Sequence, residues 1–138
     1  IKNNSTLPNK LFLISPVIDP SFRNSKIDVL EQKDPILSKK GVLSAKLMCA
    51  INGNLNDPFL SPIVGSVNNF PETILFIAEN DITYADQQIF VEKLKNADVP
   101  YTVFLGEGMP HIWPLLPVMK EAREALQTII ALLNTKQK

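Results

Sequence analysis

The chain holds a single histidine, His111, at the end of the run Gly106-Glu107-Gly108-Met109-Pro110-His111. An imidazole works as a proton carrier near neutral pH when a neighbour fixes which ring nitrogen holds the proton. Asp81, in Ala78-Glu79-Asn80-Asp81, is the acid placed to do this, because both residues follow short apolar runs that read as strands. A carboxylate bonded to one ring nitrogen would leave the other free as a general base and would stabilise the imidazolium formed in turnover. That is two thirds of a hydrolytic triad. The same spacing also admits plainer uses. His111 fits an exposed or purely structural position in a Pro- and Gly-containing loop, and Asp81 could cap the helix that starts nearby. Asp86, in the first turn of that helix, reads as helix-stabilising. Met109 and Trp113 flank His111 and suit either the wall of a substrate pocket or core packing.

Placing Asp81 beside His111 requires adjacent parallel strands. Leu11 to Ile14 is a continuous apolar run stopped by Ser15-Pro16, as expected of a strand buried on both faces. Residues 73–78 and 101–105 read as two more strands, with a helix over Asp86 to Ala97 between them. This is a β-α-β unit. Right-handed crossovers put the strands at 11–14, 73–78 and 101–105 side by side in that order, with Asp81 and His111 at the same end. Neighbouring strands lie roughly 4.8 Å apart, so short loops from them bring side chains within bonding reach. The piece from Val17 to Lys40, with turn-favouring Asp19-Pro20 and Asp34-Pro35, reads as a long irregular loop over the site. A short helix is expected over Gly41 to Ile51 and loop over 52–69. A long amphipathic helix is expected over Pro114 to Asn134, with Lys120, Glu121 and Glu124 facing out. The first strand would leave an apolar edge that something should cover.

Charge narrows the partners. Lys plus Arg and Asp plus Glu are both 14, so no net field draws in nucleic acid or an anionic membrane. With 138 residues, 45% hydrophobic and 20% charged, the chain has the balance of one folded domain. Its apolar runs fall short of the roughly 20 residues needed to span a bilayer, and no signal peptide is read at its start, so a cytoplasmic location is expected. Cys49 is the sole cysteine, which excludes an internal disulfide and a structural zinc site. It is expected to be a small buried hydrophobe.

Five motifs together resemble the carboxyl-terminal part of hormone-sensitive-lipase-like esterases, the acetyl-esterase branch of the α/β-hydrolase fold. They are Leu13-Ile14-Ser15-Pro16-Val17-Ile18-Asp19, Asp34-Pro35-Ile36-Leu37-Ser38 with Gly41, Asp57 to Pro62, Asp81-Ile82-Thr83-Tyr84-Ala85-Asp86, and Gly108-Met109-Pro110-His111. The resemblance implies an α/β class with the last three parallel strands of that fold, and it makes Asp81 the triad acid and His111 the triad histidine. It also makes residues 1–138 the end of a single hydrolase domain, with a cap-like insertion at about 20–69. No cofactor is implied. The family's nucleophile lies on a Gly-x-Ser-x-Gly elbow and its oxyanion hole on a His-Gly-Gly-type loop, and neither motif is here. Gly65-Ser66 lacks the second glycine, and Ser15 and Ser61 are poor nucleophile candidates.

The reading that follows is a carboxylic ester hydrolase acting on small acyl esters, of which this chain supplies acid and base but is inactive alone. The missing amino-terminal half, or a second copy, would cover the first strand's edge. The alternative is an inactive truncated domain serving as a homo-oligomerising or interaction module. A flavodoxin-like binding domain is a third, but no Gly-rich phosphate loop follows any strand. Phe22, Phe59, Phe70 and Trp113 suit an acyl pocket or a core equally.

Overall fold

Three apolar runs become one parallel sheet: β1 (Lys10–Ile14), β2 (Glu72–Asn80) and β3 (Tyr101–Pro110), lying in the order β1-β2-β3. The computed structural model describes residues 6–50 and 57–135. Between the strands and after them lie α1 (Ile27–Glu31), α2 (Lys39–Cys49), α3 (Tyr84–Asn96) and α4 (Lys120–Asn134), with 3-10 turns at Pro62–Val64 and Trp113–Leu115. The parallel order matches the sequence expectation. Among the described residues, no helix is long and apolar enough to cross a membrane.

The central strand shows why the run Ile74 to Ala78 has no polar gap. Leu75 and Ile77 point to one face, where they pack with Phe90 and Leu94 of α3. Ile74, Phe76 and Ala78 point to the other, against Ala125 and Ile129 of α4 and the ring of Trp113. A strand covered by helices on both faces must be apolar at every position, and each large side chain so buried contributes about 1.5–3 kcal/mol. Register carries the packing across strands. Phe76 pairs with Phe104 on β3, and their rings stack with centroids 4.7 Å apart.

Several boundaries depart from expectation. β3 runs on through Gly106 to Pro110, where loop is the sequence reading, because ladder pairing needs backbone rather than an apolar pattern; Asn80 pairs with Pro110 after a register shift. The last helix starts at Lys120 rather than Pro114. Pro117 has no N–H to donate and disfavours helical geometry at Leu116, whose ψ is 88°. The loop from 17 to 40 contains the five-residue α1, which seats Ile27 beside Phe22 and Ile82.

α2 covers most of the stretch where a short helix is expected. It starts two residues before the expected Gly41, at Lys39, with Ser38 Oγ accepting the Gly41 N–H at 3.1 Å, while Ile51 lies outside the described residues. Leu47 and Met48 are exposed, and so is Cys49, which corrects its reading as a buried hydrophobe. Lys46 is buried instead, its Nζ donating to Ser61 Oγ at 3.0 Å, and Ser61 Oγ donating to Asp19 Oδ1 at 3.2 Å. Burial holds the Lys46 ammonium below the usual lysine range, partly offset by the Asp19 charge.

Trp113 is a packing residue. Its Nε1 donates to the Ile77 carbonyl at 3.1 Å, and its ring lies where a Cβ on Gly106 would sit, 2.6 Å from Nε1. Only glycine fits at that position of β3. Gly106→Ala should therefore lower Tm by roughly 5 °C or more through overpacking of about 1–3 kcal/mol, measured by thermal unfolding. An unchanged Tm would mean that the indole is not seated on Gly106.

Candidate active site

β2 delivers Asp81 one residue beyond its end, fully buried, and the backbone then turns into α3 with the Tyr84 N–H bonded to the Asp81 carbonyl at 3.0 Å. The Asp-x-Thr sequence makes this turn. Asp81 Oδ1 accepts from the Thr83 N–H at 2.8 Å and from Thr83 Oγ1 at 2.6 Å. Oδ2 accepts from Gln87 Nε2 at 3.3 Å and faces His111 Nδ1 at 2.9 Å. A carboxylate offers about four lone-pair sites, and each of these meets one donor. Because Thr83 gives its only hydroxyl proton to Asp81, its oxygen accepts from Gln87 Nε2 at 2.6 Å. Gln87 Nε2 also lies 3.4 Å from the Pro16 carbonyl, and its Oε1 is buried without a partner among the described residues.

Asp34 extends this shell. Its Oδ2 accepts the Ile82 N–H at 2.8 Å, while Oδ1 accepts the N–H groups of Ile36 and Leu37 at 2.8 and 2.9 Å. The peptide next to Asp81 is thus anchored to the segment that covers it. Asp81 does not cap α3, whose N-cap is Thr83 without a side-chain bond; its carboxylate braces the turn before the helix and contacts the histidine.

His111 arrives from the neighbouring strand end. Gly108 takes a positive φ of +65°, its N–H donating to Glu79 Oε2 at 2.8 Å and its carbonyl accepting from Asn80 Nδ2 at 3.0 Å. The His111 side chain is 12% exposed, whereas Asp81 is fully buried. With Asp81 already receiving three other donors, the remaining site takes a proton from Nδ1, which leaves the Nε2 lone pair as the basic one. Such an imidazole can accept a proton from a hydroxyl and pass it on.

Met109 and Trp113 share a different surface. Both line a cleft of about 430 Å³ between β3 and α4, which has neither Asp81 nor His111 on its wall. Phe22 is buried with Ile27 and Ile82, Phe70 packs edge-on against Phe90, and Phe59 is exposed. Thr83, Gln87, Asp34 and Ser15 are the residues that sequence reasoning misses. Asp-x-Thr followed by a glutamine one helical turn later carried a legible signal for the first two; Asp34 and Ser15 lie in motifs of the resemblance, but nothing local marks their contacts with the site.

Asp86 stands apart from the site. Burial pushes its carboxyl above the ordinary carboxylate range, against a hydrogen bond from Asn24 Nδ2 at 3.0 Å and with the Asp19 charge adding to the rise. The folded state then holds this proton more tightly than the unfolded chain, so stability falls as pH rises through the window above the ordinary carboxylate value. Asp86→Asn should raise the urea midpoint near pH 7, with a gain that disappears as pH drops below about 4. An equal gain at both pH values would contradict the burial cost.

A sequence profile of the α/β-hydrolase fold matches residues 1–115. An Acinetobacter venetianus protein named as an esterase is 26% identical over 126 residues, covering 89% of this chain and 41% of that one. A Staphylococcus aureus protein assigned as an esterase superposes with a TM-score of 0.89 at 28% identity, over 99% of this chain and 46% of that one. An esterase of the bacterial hormone-sensitive lipase family superposes with a TM-score of 0.87 at 22% identity, over 94% and 44%. At that identity the likeness speaks for the fold alone. The chain spans less than half the length of each relative. Since the profile match runs through all three strands and the histidine loop, the chain belongs to the α/β-hydrolase fold family.

Proposed function

We propose that this chain is the carboxyl-terminal part of a serine carboxylic ester hydrolase, supplying the acid and base of its triad to a nucleophile outside these residues. The 2.9 Å approach of His111 Nδ1 to buried Asp81 carries this reading. No serine among the described residues is hydrogen-bonded to the His111 ring. The relatives named as esterases support ester hydrolysis as the reaction. Residues at about 20–69 would form the cap-like insertion, and small acyl esters the substrate.

In this reading His111 Nε2 takes the proton of the incoming serine hydroxyl as its oxygen bonds to the acyl carbon. The imidazolium, stabilised by Asp81, then gives that proton to the departing alcohol oxygen as the ester C–O bond breaks. Water repeats the sequence and releases the acid. The edge position of β1 supports a missing amino-terminal partner, as does an apolar recess of about 450 Å³ beside it, bounded by Leu7, Leu11 and Phe70 among others. A further strand paired along β1 would cover both.

Hydrolysis of 4-nitrophenyl acetate tests the proposal. The 138-residue chain alone should show none, and joined to an amino-terminal half bearing the elbow serine it should turn over. Asp81→Asn in the joined protein should reduce kcat by about 10⁴-fold, and His111→Ala comparably. Activity of the chain alone that vanished on His111→Ala would overturn the missing-nucleophile reading; activity of the joined protein indifferent to His111→Ala would overturn the base.

A further inference from the structure

Ser15 and Ile112 lie 97 residues apart, both hold left-handed backbone, and one hydrogen bond joins them. Ser15 has φ +43° at the end of β1 and is buried; Ile112 has φ +53° and directly follows His111. A left-handed conformation is uncommon for a serine and costly for a β-branched residue, so each needs support from its surroundings. The Ile112 N–H donates to Ser15 Oγ at 2.9 Å, while the Ser15 N–H donates to the Phe76 carbonyl at 2.8 Å and ties it into the sheet. Ile112 in turn accepts the Leu115 N–H at 2.8 Å, which closes the turn leading to Trp113.

We infer that Ser15 is a positioning residue for His111: its hydroxyl clips the peptide after the histidine and sets where the imidazole meets Asp81. The inference rests on the reading of His111 as the base, which makes that placement matter. Nothing else among the described residues holds the backbone between Pro110 and Trp113 from the β1 side. On the far side, Asp81 fixes Nδ1; the clip fixes the Cα from which the ring extends. Without it, the strained Ile112 can relax toward ordinary backbone angles, and the ring would swing from the carboxylate.

The geometry separates this role from nucleophilic attack. An elbow serine is followed by a residue whose N–H serves the oxyanion hole, and here that residue is Pro16, which has no N–H. The Pro16 carbonyl lies 3.4 Å from Gln87 Nε2, so the segment after Ser15 is directed toward the Asp81 shell. Ser15 and Pro16 therefore touch the supports of both site residues.

Ser15→Gly and Ser15→Ala, each in the 138-residue chain, test the clip. Glycine removes the hydroxyl and relieves the positive φ, so this variant should retain Tm; alanine removes the hydroxyl and keeps the strain. The readout is the His111 Nδ1 proton resonance, which shifts downfield and exchanges slowly when the ring is bonded to Asp81. Both variants should move it upfield and speed its exchange at least tenfold, although their Tm values differ. An unchanged resonance in both, or a change in alanine alone, would overturn the inference, the latter because backbone strain rather than the hydroxyl would then be responsible. This readout is independent of ester hydrolysis, so a failure of the base reading, seen as an active His111→Ala joined protein, leaves the clip separately decided.

Discussion

A carboxylate sealed from water is stable only if its oxygens are met by donors, and at Asp81 that requirement organises everything nearby. Burying such a charge unmet costs several kcal/mol, so the shell has to be complete. Thr83 supplies two donors from the turn itself, Gln87 one from the first turns of α3, and His111 the last from β3. The directionality propagates outward. Thr83 has one hydroxyl proton, which goes to Asp81, so Gln87 must present its NH₂ to Thr83 and leave Oε1 without a partner among the described residues. A buried orphan acceptor costs about 1–3 kcal/mol. The amide is held by its contacts with Thr83 Oγ1 and Asp81 Oδ2.

The parallel sheet makes that shell possible. All three strands end at the same side, so β1 offers Ser15, β2 offers Glu79, Asn80 and Asp81, and β3 offers Gly108 and His111 within a few residues of one another. Two glycines make the approach feasible for different reasons. Gly106 yields its side-chain space to the Trp113 ring, and Gly108 adopts a positive φ that lets the chain fold back toward β2. Above the strand ends, Asp34 fixes the covering segment to Ile82, which is buried with Phe22 and Ile27. Polar anchoring and apolar packing act on the same three or four residues there.

The fold was legible where one physical signal dominated. Ile74 to Ala78 is apolar without interruption because both of its faces are covered, and the placement of Asp81 and His111 on adjacent strand ends followed from parallel order alone. The sequence was silent where tertiary context decided. Lys46 is buried because Ser61 and Asp19, distant in sequence, give its ammonium a partner, while the apolar Leu47 and Met48 beside it lie in the open. Trp113 sits by His111 in sequence, yet Gly106 draws its ring into the sheet's α4 face. Ser15 was visible as part of a motif, but its bond to Ile112 was not, since a hydroxyl that meets a peptide 97 residues away has no pattern to betray it.

The central claim is that Asp81 fixes the proton of His111 on Nδ1 and leaves Nε2 as the lone-pair nitrogen. Long-range ¹H–¹⁵N correlation spectra of the ¹⁵N-labelled chain, recorded at about pH 8 where imidazoles are ordinarily neutral, read the tautomer directly. The expected result is a pyrrole-type shift at Nδ1 and a pyridine-type shift at Nε2. A proton on Nε2, or an averaged pair of shifts, would mean that the carboxylate does not orient the ring, and the site as described would be wrong.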